Sequence, residues 1–212
     1  MTLLQRSGLE ALGTGLLAFT IGRLSTSDLN GFEQAIAIGL CLTLLIHIMG
    51  RFSGAHFNPA VTLLLNHQRF GFKALRSQEG LLETGAYVLA QIIGALMGFA
   101  LAAPLVAGDA VALEGLIPEA LLSLVLFALI LRWSHEGRIC PFAQPLSGLV
   151  VGAGLAFLAL LGGLTQSGIY NPAIAIGLGS QGVSGWGMAV LAQLLAVVMV
   201  LALEGSHLLS HD

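Results

Sequence analysis

The sequence predicts an all-α membrane protein with six transmembrane helices and two re-entrant half-helices, arranged as an inverted 3+3 repeat. Its composition, its long apolar runs and a short motif that occurs twice lead to this prediction. Of the 212 residues, 56% are hydrophobic and 9% are charged, and the mean hydropathy is +0.91. A soluble domain carries about a quarter of its residues as charges, so this chain cannot cover a water-exposed surface. A soluble enzyme, a disordered chain and a nucleic-acid-binding protein are therefore excluded, the last also by the net charge of −3.

Six charge-poor runs locate the predicted spans, because a helix needs about 20 residues to cross the hydrocarbon core. They cover residues 9–24, 35–50, 85–106, 117–131, 145–164 and 186–203. If six spans alternate across the bilayer, every basic residue except Arg23 falls on one side. By the positive-inside rule, both termini are expected in the cytoplasm.

Two further apolar runs, residues 59–66 and 172–179, are too short to span the bilayer. Eight helical residues rise about 12 Å, which is less than half of a hydrocarbon core of about 30 Å. Neither run has the charged face that would hold a helix at the membrane surface. Each run is therefore predicted to enter the bilayer and to end midway.

The two short runs belong to an internal repeat. An Asn-Pro-Ala motif stands at the start of each run, at residues 58–60 and 171–173. Glu10 in the first span corresponds to Glu119 in the fourth. Each repeat contains three spans, and an odd number forces the second copy to insert upside down. The half-helices then enter from opposite faces of the membrane. The predicted repeats are residues 1–108 and 109–212.

Each Asn-Pro pair predicts a helix start, since asparagine is a preferred N-cap and proline is preferred at the first helical position. The cap uses the carbonyl oxygen of Asn58 or Asn171 and leaves the amide NH₂ free to donate. The non-helical backbone before each motif is tolerated in a membrane only if it lines a wet cavity or is buried. Carbonyl acceptors and amide donors give a path for a small neutral molecule, while two facing helix dipoles repel protons and cations.

The stretch SGAHFNPAVT at 53–62 and the second Asn-Pro-Ala closely resemble the aquaporin, or major intrinsic protein, family. EALGT at 10–14 and AQIIGA at 90–95 extend the resemblance over essentially the whole chain. It implies a pore inside six tilted helices and two half-helices, a homotetramer with one pore per subunit, and no cofactor, metal or catalytic residue. The implied pore residues are Asn58, Pro59, Ala60, Asn171, Pro172 and Ala173, with backbone lining from His56, Phe57, Ile169 and Tyr170.

The chain departs from the family at the narrow filter. Most members have an arginine directly after the second Asn-Pro-Ala, where this chain has Ile174. Counting back from the two motifs, the other filter positions resemble Ile38, Ala159 and Gly168. None of these four residues offers a charge, an aromatic ring or a hydrogen-bonding side chain, so we expect a wider and more apolar mouth. Ala175 stands where the glycerol-type pattern places an aspartate.

This filter resembles that of bacterial members associated with arsenic resistance, which can lack the arginine. We predict a passive channel for small uncharged solutes in a bacterial plasma membrane, with metalloid acids such as arsenous acid, glycerol-like solutes and water as candidates. A strictly water-conducting channel remains an alternative, as does a secondary transporter with inverted repeats. An enzyme is disfavoured, because the sequence shows no nucleophile–base pair, metal cluster or phosphate loop in context.

Two interpretations are open for four ionisable residues in or near the predicted spans. Glu10 and Glu119 are candidates for carrying protons, but their mirror placement favours accepting hydrogen bonds from unpaired backbone beside each half-helix. His47 and His56 are candidates for gating, since histidine is the residue type used as a switch near physiological pH. Because His56 matches a family position that is usually structural, the structural role is preferred.

Overall fold

The computed structural model describes residues 1–71, 77–102, 116–134, 146–164 and 168–205, and within these ranges it contains eight α-helices and no strand. The order of two long helices, a short one and another long one occurs twice, so the predicted fold class is confirmed. The predicted division between repeats at 108 and 109 lies outside the described residues. The helices are α1 Leu3–Ser25, α2 Gly31–Ser53, α3 Pro59–Phe70, α4 Gln78–Ala102, α5 Leu116–Arg132, α6 Ser147–Leu164, α7 Pro172–Ser180 and α8 Trp186–Gly205.

The first two helices begin earlier than their apolar runs because capping boxes fix their starts. In α1, the Thr2 hydroxyl accepts from the backbone of Gln5, whose side chain accepts from the Thr2 backbone. In α2, Asn30 and Glu33 make the same reciprocal pair. Such a box satisfies two backbone donors that the first turn leaves without partners. Polar residues at the membrane surface therefore belong to these helices, and hydropathy alone misses them.

The first half-helix is longer than the sequence predicted. It has 12 residues instead of eight, because a last turn containing His67 and Arg69 follows the apolar run. Basic side chains are favoured there by the negative end of the helix dipole. Twelve residues rise about 18 Å, which is still too short for a core of about 30 Å. The half-helix interpretation holds, and the charged residue of the helix, Arg69, lies beyond the apolar run.

Three helices in the described part of the chain, α2, α4 and α8, are long and apolar enough to cross a membrane by length and composition. The remaining long helices are α1, α5 and α6. Helix α1 has 23 residues but contains Glu10 and Arg23, while α5 and α6 have 17 and 18 residues.

Close helix packing surrounds the two half-helices. Helix α1 lies along α4 and α5 lies along α8, while α2 packs against α6 across the molecule. A side chain at Gly98 would overlap the backbone oxygen of Gly15, and one at Gly39 would overlap that of Gly152. Small residues at these crossings let the backbones approach, which is how helices associate in lipid without a hydrophobic driving force.

A buried carboxylate joins three helices at the end of α3. Glu83 on α4 accepts from Arg6 of α1 at 2.9 Å and from Arg69 of α3 at 2.8 Å. The Glu83 side chain is only 6% exposed, while those of Arg6 and Arg69 are 18% and 32% exposed. The last turn of α3 is therefore tied by charge to both neighbouring helices.

We expect Glu83→Gln to lower the free energy of unfolding in detergent by about 1.5–3 kcal/mol, the usual contribution of a hydrogen bond to a charged group. The matched control is Glu79→Gln, an exposed position in the first turn of the same helix. Denaturant unfolding followed by circular dichroism measures both variants. Equal losses for the two would show that the Arg6–Glu83–Arg69 contacts do not stabilise the fold.

Candidate functional site

The two asparagines of the repeated motif each begin a half-helix. The Asn58 side-chain oxygen accepts from the backbone of Ala60 at 2.9 Å, and that of Asn171 accepts from Ala173 at 3.0 Å. Both asparagines have extended backbone angles, and a proline follows at the first helical position. Both are 6% exposed. These contacts are the geometry of an N-cap, built twice and at depth within the molecule.

The amide groups of the same asparagines join the two half-helix starts to each other. The Asn58 Nδ2 donates to the backbone oxygen of Tyr170 at 2.7 Å, and the Asn171 Nδ2 donates to that of Phe57 at 2.8 Å. The sequence analysis left each NH₂ free to donate, and in the structure each one donates to the backbone of the other half-helix start. An amide nitrogen has two N–H groups, so one on each asparagine remains for a solute.

The backbone before each motif turns through left-handed conformations. Phe57 has a φ of 49° and Tyr170 has a φ of 52°, each directly before its asparagine. Ala55 and Gly168 also have positive φ values, of 53° and 123°. A residue other than glycine pays about 1–2 kcal/mol for this conformation, so the surrounding contacts must hold it. Ser53 is the last residue of α2, so the first non-helical segment begins at Gly54.

Glu10 supplies the contacts that hold the first of these segments. Its carboxylate accepts from the backbone of His56 at 3.2 Å, from the backbone of Phe57 at 2.7 Å and from the Ser53 hydroxyl at 2.6 Å. Gln91 on α4 donates to it at 2.8 Å. Glu10 is fully buried. Four donors around one buried carboxylate favour structural support over proton transfer.

Glu119 has the same surroundings in the second half of the chain. Its carboxylate accepts from the backbone of Gly168 at 2.6 Å, of Ile169 at 3.3 Å and of Tyr170 at 2.7 Å. Gln193 on α8 donates to it at 2.9 Å. The two glutamates thus serve equivalent loops, each from a long helix beside its half-helix.

Sequence reasoning did not assign a role to Gln91 or Gln193, although each follows an alanine at matching places in the two halves. The structure shows them as the side-chain donors to the buried glutamates. Their surroundings then differ. Gln91 also hydrogen-bonds the Thr62 hydroxyl at 2.9 Å, whereas the Gln193 oxygen is buried without a partner in the described residues. Ala175 occupies the position that Thr62 holds in the first half, which accounts for the missing partner.

A cavity of about 610 Å³ runs past the meeting point of the half-helices. Its wall includes all four positions proposed from the sequence as the filter, together with both motif asparagines: Ile38, Ala159, Gly168, Ile174, Asn58 and Asn171. His56, Phe57, Ile169 and Tyr170 line it as well. Pro59, Ala60, Pro172 and Ala173 instead lie buried in the first turns of the half-helices, behind the wall.

The two histidines proposed for gating occupy different places. His56 lines the cavity, and its ring lies 5.2 Å from that of Tyr87 and 3.3 Å from the Thr62 hydroxyl. His47 is exposed on α2, outside the cavity wall, with its ring nitrogen 2.8 Å from the Thr43 backbone oxygen. The position of His47 therefore gives no support to a gating role.

The family model described as major intrinsic protein matches residues 6–185. The chain is 28% identical to nodulin-26 of Glycine max over 187 residues, 82% of this chain and 66% of that protein. It is 40% identical to aquaglyceroporin AqpS of Rhizobium meliloti over 108 residues, 47% of this chain and 43% of that protein. It is 32% identical to glycerol uptake facilitator protein-like 6 of Lactiplantibacillus plantarum over 187 residues, 79% of this chain and 80% of that protein.

The arrangement of helices is also found in a solved structure. The aquaglyceroporin from Plasmodium falciparum matches this chain with a TM-score of 0.68 over 95% of both chains, at 17% identity. At that identity the match shows a shared fold.

Proposed function

The chain belongs to the major intrinsic protein family, and from this premise we propose that it is a passive membrane channel for small uncharged solutes with a widened, arginine-free filter. The candidate solutes are metalloid acids such as arsenous acid, glycerol-like molecules and water. The observation that carries the proposal is the cavity wall at Ile38, Ala159, Gly168 and Ile174, where no side chain is charged or polar.

The lack of charged side chains in the described part of the cavity wall favours neutral solutes over ions. Among the described residues that line the cavity, none is an aspartate, glutamate, lysine or arginine. An ion entering it would lose hydration without a compensating charge, which costs far more than the transfer of a neutral solute. The N-termini of α3 and α7 meet there, and their dipoles oppose cations further. The wall thus favours small molecules that carry hydroxyl or amide groups but no charge.

The distribution of polar groups supports solutes with one apolar side. Asn58 and Asn171 each keep one amide N–H beside the cavity, while Leu42, Leu126 and Val151 give the wall an apolar part. A small polyol or a hydroxylated metalloid can place hydroxyl groups toward the asparagines and its remaining surface toward the aliphatic side chains. This arrangement offsets part of the dehydration cost of entry.

A permeability panel in proteoliposomes tests the proposal. Stopped-flow measurements compare water, glycerol, urea, hydrogen peroxide and arsenous acid in native protein, in empty liposomes and in an Ala159→Trp variant that fills the cavity. We expect glycerol and arsenous acid flux that rises linearly with the gradient and falls to the empty-liposome level in the variant. Passage of water alone would contradict the widened filter, and saturable flux driven by a proton gradient would indicate a secondary transporter.

We place the channel in a bacterial plasma membrane, with both termini in the cytoplasm and four copies in the assembly. The basic residues support the orientation, since Arg6, Arg51, Arg69 and Arg132 fall on the predicted cytoplasmic side and Arg23 on the other. The tetramer follows from the resemblance to the family. Cysteine labelling of the termini in sealed vesicles tests the orientation, and light scattering in detergent tests the assembly.

A further inference from the structure

One end of the cavity carries two amide side chains that the filter does not include. This end, which we call the outer mouth, is formed by the end of α1, the start of α2 and the end of α7. Gln34 and Gln181 both line it. Gln34 lies one helical turn before Ile38 on α2, so the two share a face of that helix. Gln181 caps the end of α7, seven residues after Ile174.

On α2 the polar Gln34 lies at the mouth and the apolar Ile38 lies deeper in the cavity. Helix α7 shows the same order. Ile174, Leu178 and Gln181 are spaced by four and three residues, and all three line the cavity. A solute that enters from the outer mouth therefore meets an amide on each of two helices before it reaches the aliphatic filter.

The two amides still have hydrogen-bonding capacity. The Gln34 nitrogen donates to the Leu29 backbone oxygen at 2.8 Å. Within the described part of the chain, the Gln34 side-chain oxygen and second N–H make no further hydrogen bond and can contact a solute. The Gln181 side chain makes no hydrogen bond with any described residue, although its backbone N–H is held by Leu178 at 3.0 Å. By contrast, the Ser25 hydroxyl at the same mouth donates to the Gly22 backbone oxygen.

We propose that Gln34 and Gln181 form an entry site for uncharged solutes that carry hydroxyl groups, which exchange water for amide contacts there before crossing the apolar filter. The proposal rests on the proposed function, since it concerns solutes that the filter admits. These two amides provide hydrogen bonds that Ile174 cannot provide, and they lie one to two helical turns closer to the outer mouth than the filter does. Neutral amides suit this role because they donate and accept without attracting ions.

The test compares Gln34→Met, Gln181→Met and the double variant with native protein in proteoliposomes. Methionine conserves length and removes the amide. Gln78→Met, at an exposed position at the start of α4, is the matched control. Because a net hydrogen bond contributes about 1 kcal/mol, each variant should lower the ratio of glycerol to water permeability by about five-fold. The double variant should show a larger loss than either single variant, and the control should show none.

Three other outcomes would overturn the entry site. Equal losses of glycerol and water would show that the substitutions only narrow the mouth. If native protein passes glycerol and the variants leave the ratio of glycerol to water permeability unchanged at native water flow, the entry site is contradicted and the proposed function is not. Native protein that passes water but no glycerol would contradict both the entry site and the widened filter of the proposed function.

Discussion

The Ile174→Arg variant is expected to stop the passage of glycerol and arsenous acid while water flow continues. Ile174 is 2% exposed and lines the cavity directly after the second half-helix begins. Arginine adds a longer side chain, a positive charge and five N–H donors at this point. The added bulk narrows the path, and the donors hold water in place of a larger solute. We expect glycerol permeability to fall at least about ten-fold, which corresponds to about 1.4 kcal/mol in the barrier.

Stopped-flow light scattering on proteoliposomes measures glycerol and water for the same preparation. The matched control is Ile174→Met, which conserves volume and apolar character and should leave both permeabilities close to native. Glycerol flux that survives the arginine at the native rate would show that Ile174 does not set the width of the pathway. Loss of both fluxes in the methionine variant would point to a disturbed fold.

The Glu119→Gln substitution is expected to cause a large loss of stability. The carboxylate accepts from three successive backbone N–H groups and from Gln193, and it is 1% exposed. A glutamine amide offers one oxygen and one donor group in the same place, so some backbone N–H groups face another donor. Each buried donor left unpaired costs about 1–3 kcal/mol, against a total stability of about 5–15 kcal/mol for a typical domain.

Thermal unfolding in detergent and the yield of folded protein from membranes measure this effect. Glu10→Gln should cost as much, because Glu10 holds the equivalent loop through a similar set of donors. Glu79→Gln, at an exposed site in the first turn of α4, should behave like native protein. A stable Glu119→Gln protein with altered proton leak would favour the proton-carrier interpretation instead.

The fold could be predicted from the sequence because hydropathy, capping residues and the repeated motif all indicate the same arrangement. The bounds were less predictable. Helix α1 begins at Leu3 because Thr2 caps it, and α3 continues to Phe70 because its last turn is polar and lies at the surface end. A hydrophobic run marks the part of a helix that lies in lipid, whereas a cap marks the end of the whole helix. The bounds given by the two signals therefore differ by about a turn.

In the candidate site, features set by neighbouring residues could be predicted from the sequence, and features set by contacts between distant segments could not. Asparagine before proline predicts an N-cap from neighbouring residues alone, so the helix starts at Asn58 and Asn171 followed from the sequence. The second use of those amides requires docking of segments far apart in the chain, which no local pattern encodes. Glu83 joins two arginines from different helices for the same reason. Gln34 gave no signal because its role depends on the outer mouth formed by three helices.

The reciprocal contacts between the half-helices have a consequence for how the protein is assembled. Asn58 and Tyr170 are 112 positions apart, and Asn171 and Phe57 are 114 apart. During synthesis, the acceptor that Asn58 has in the folded protein does not exist until Tyr170 has been made. Contacts of such sequence separation form late, because the intervening chain must first be ordered. The pathway therefore forms only when both halves are present, and neither half alone encloses it.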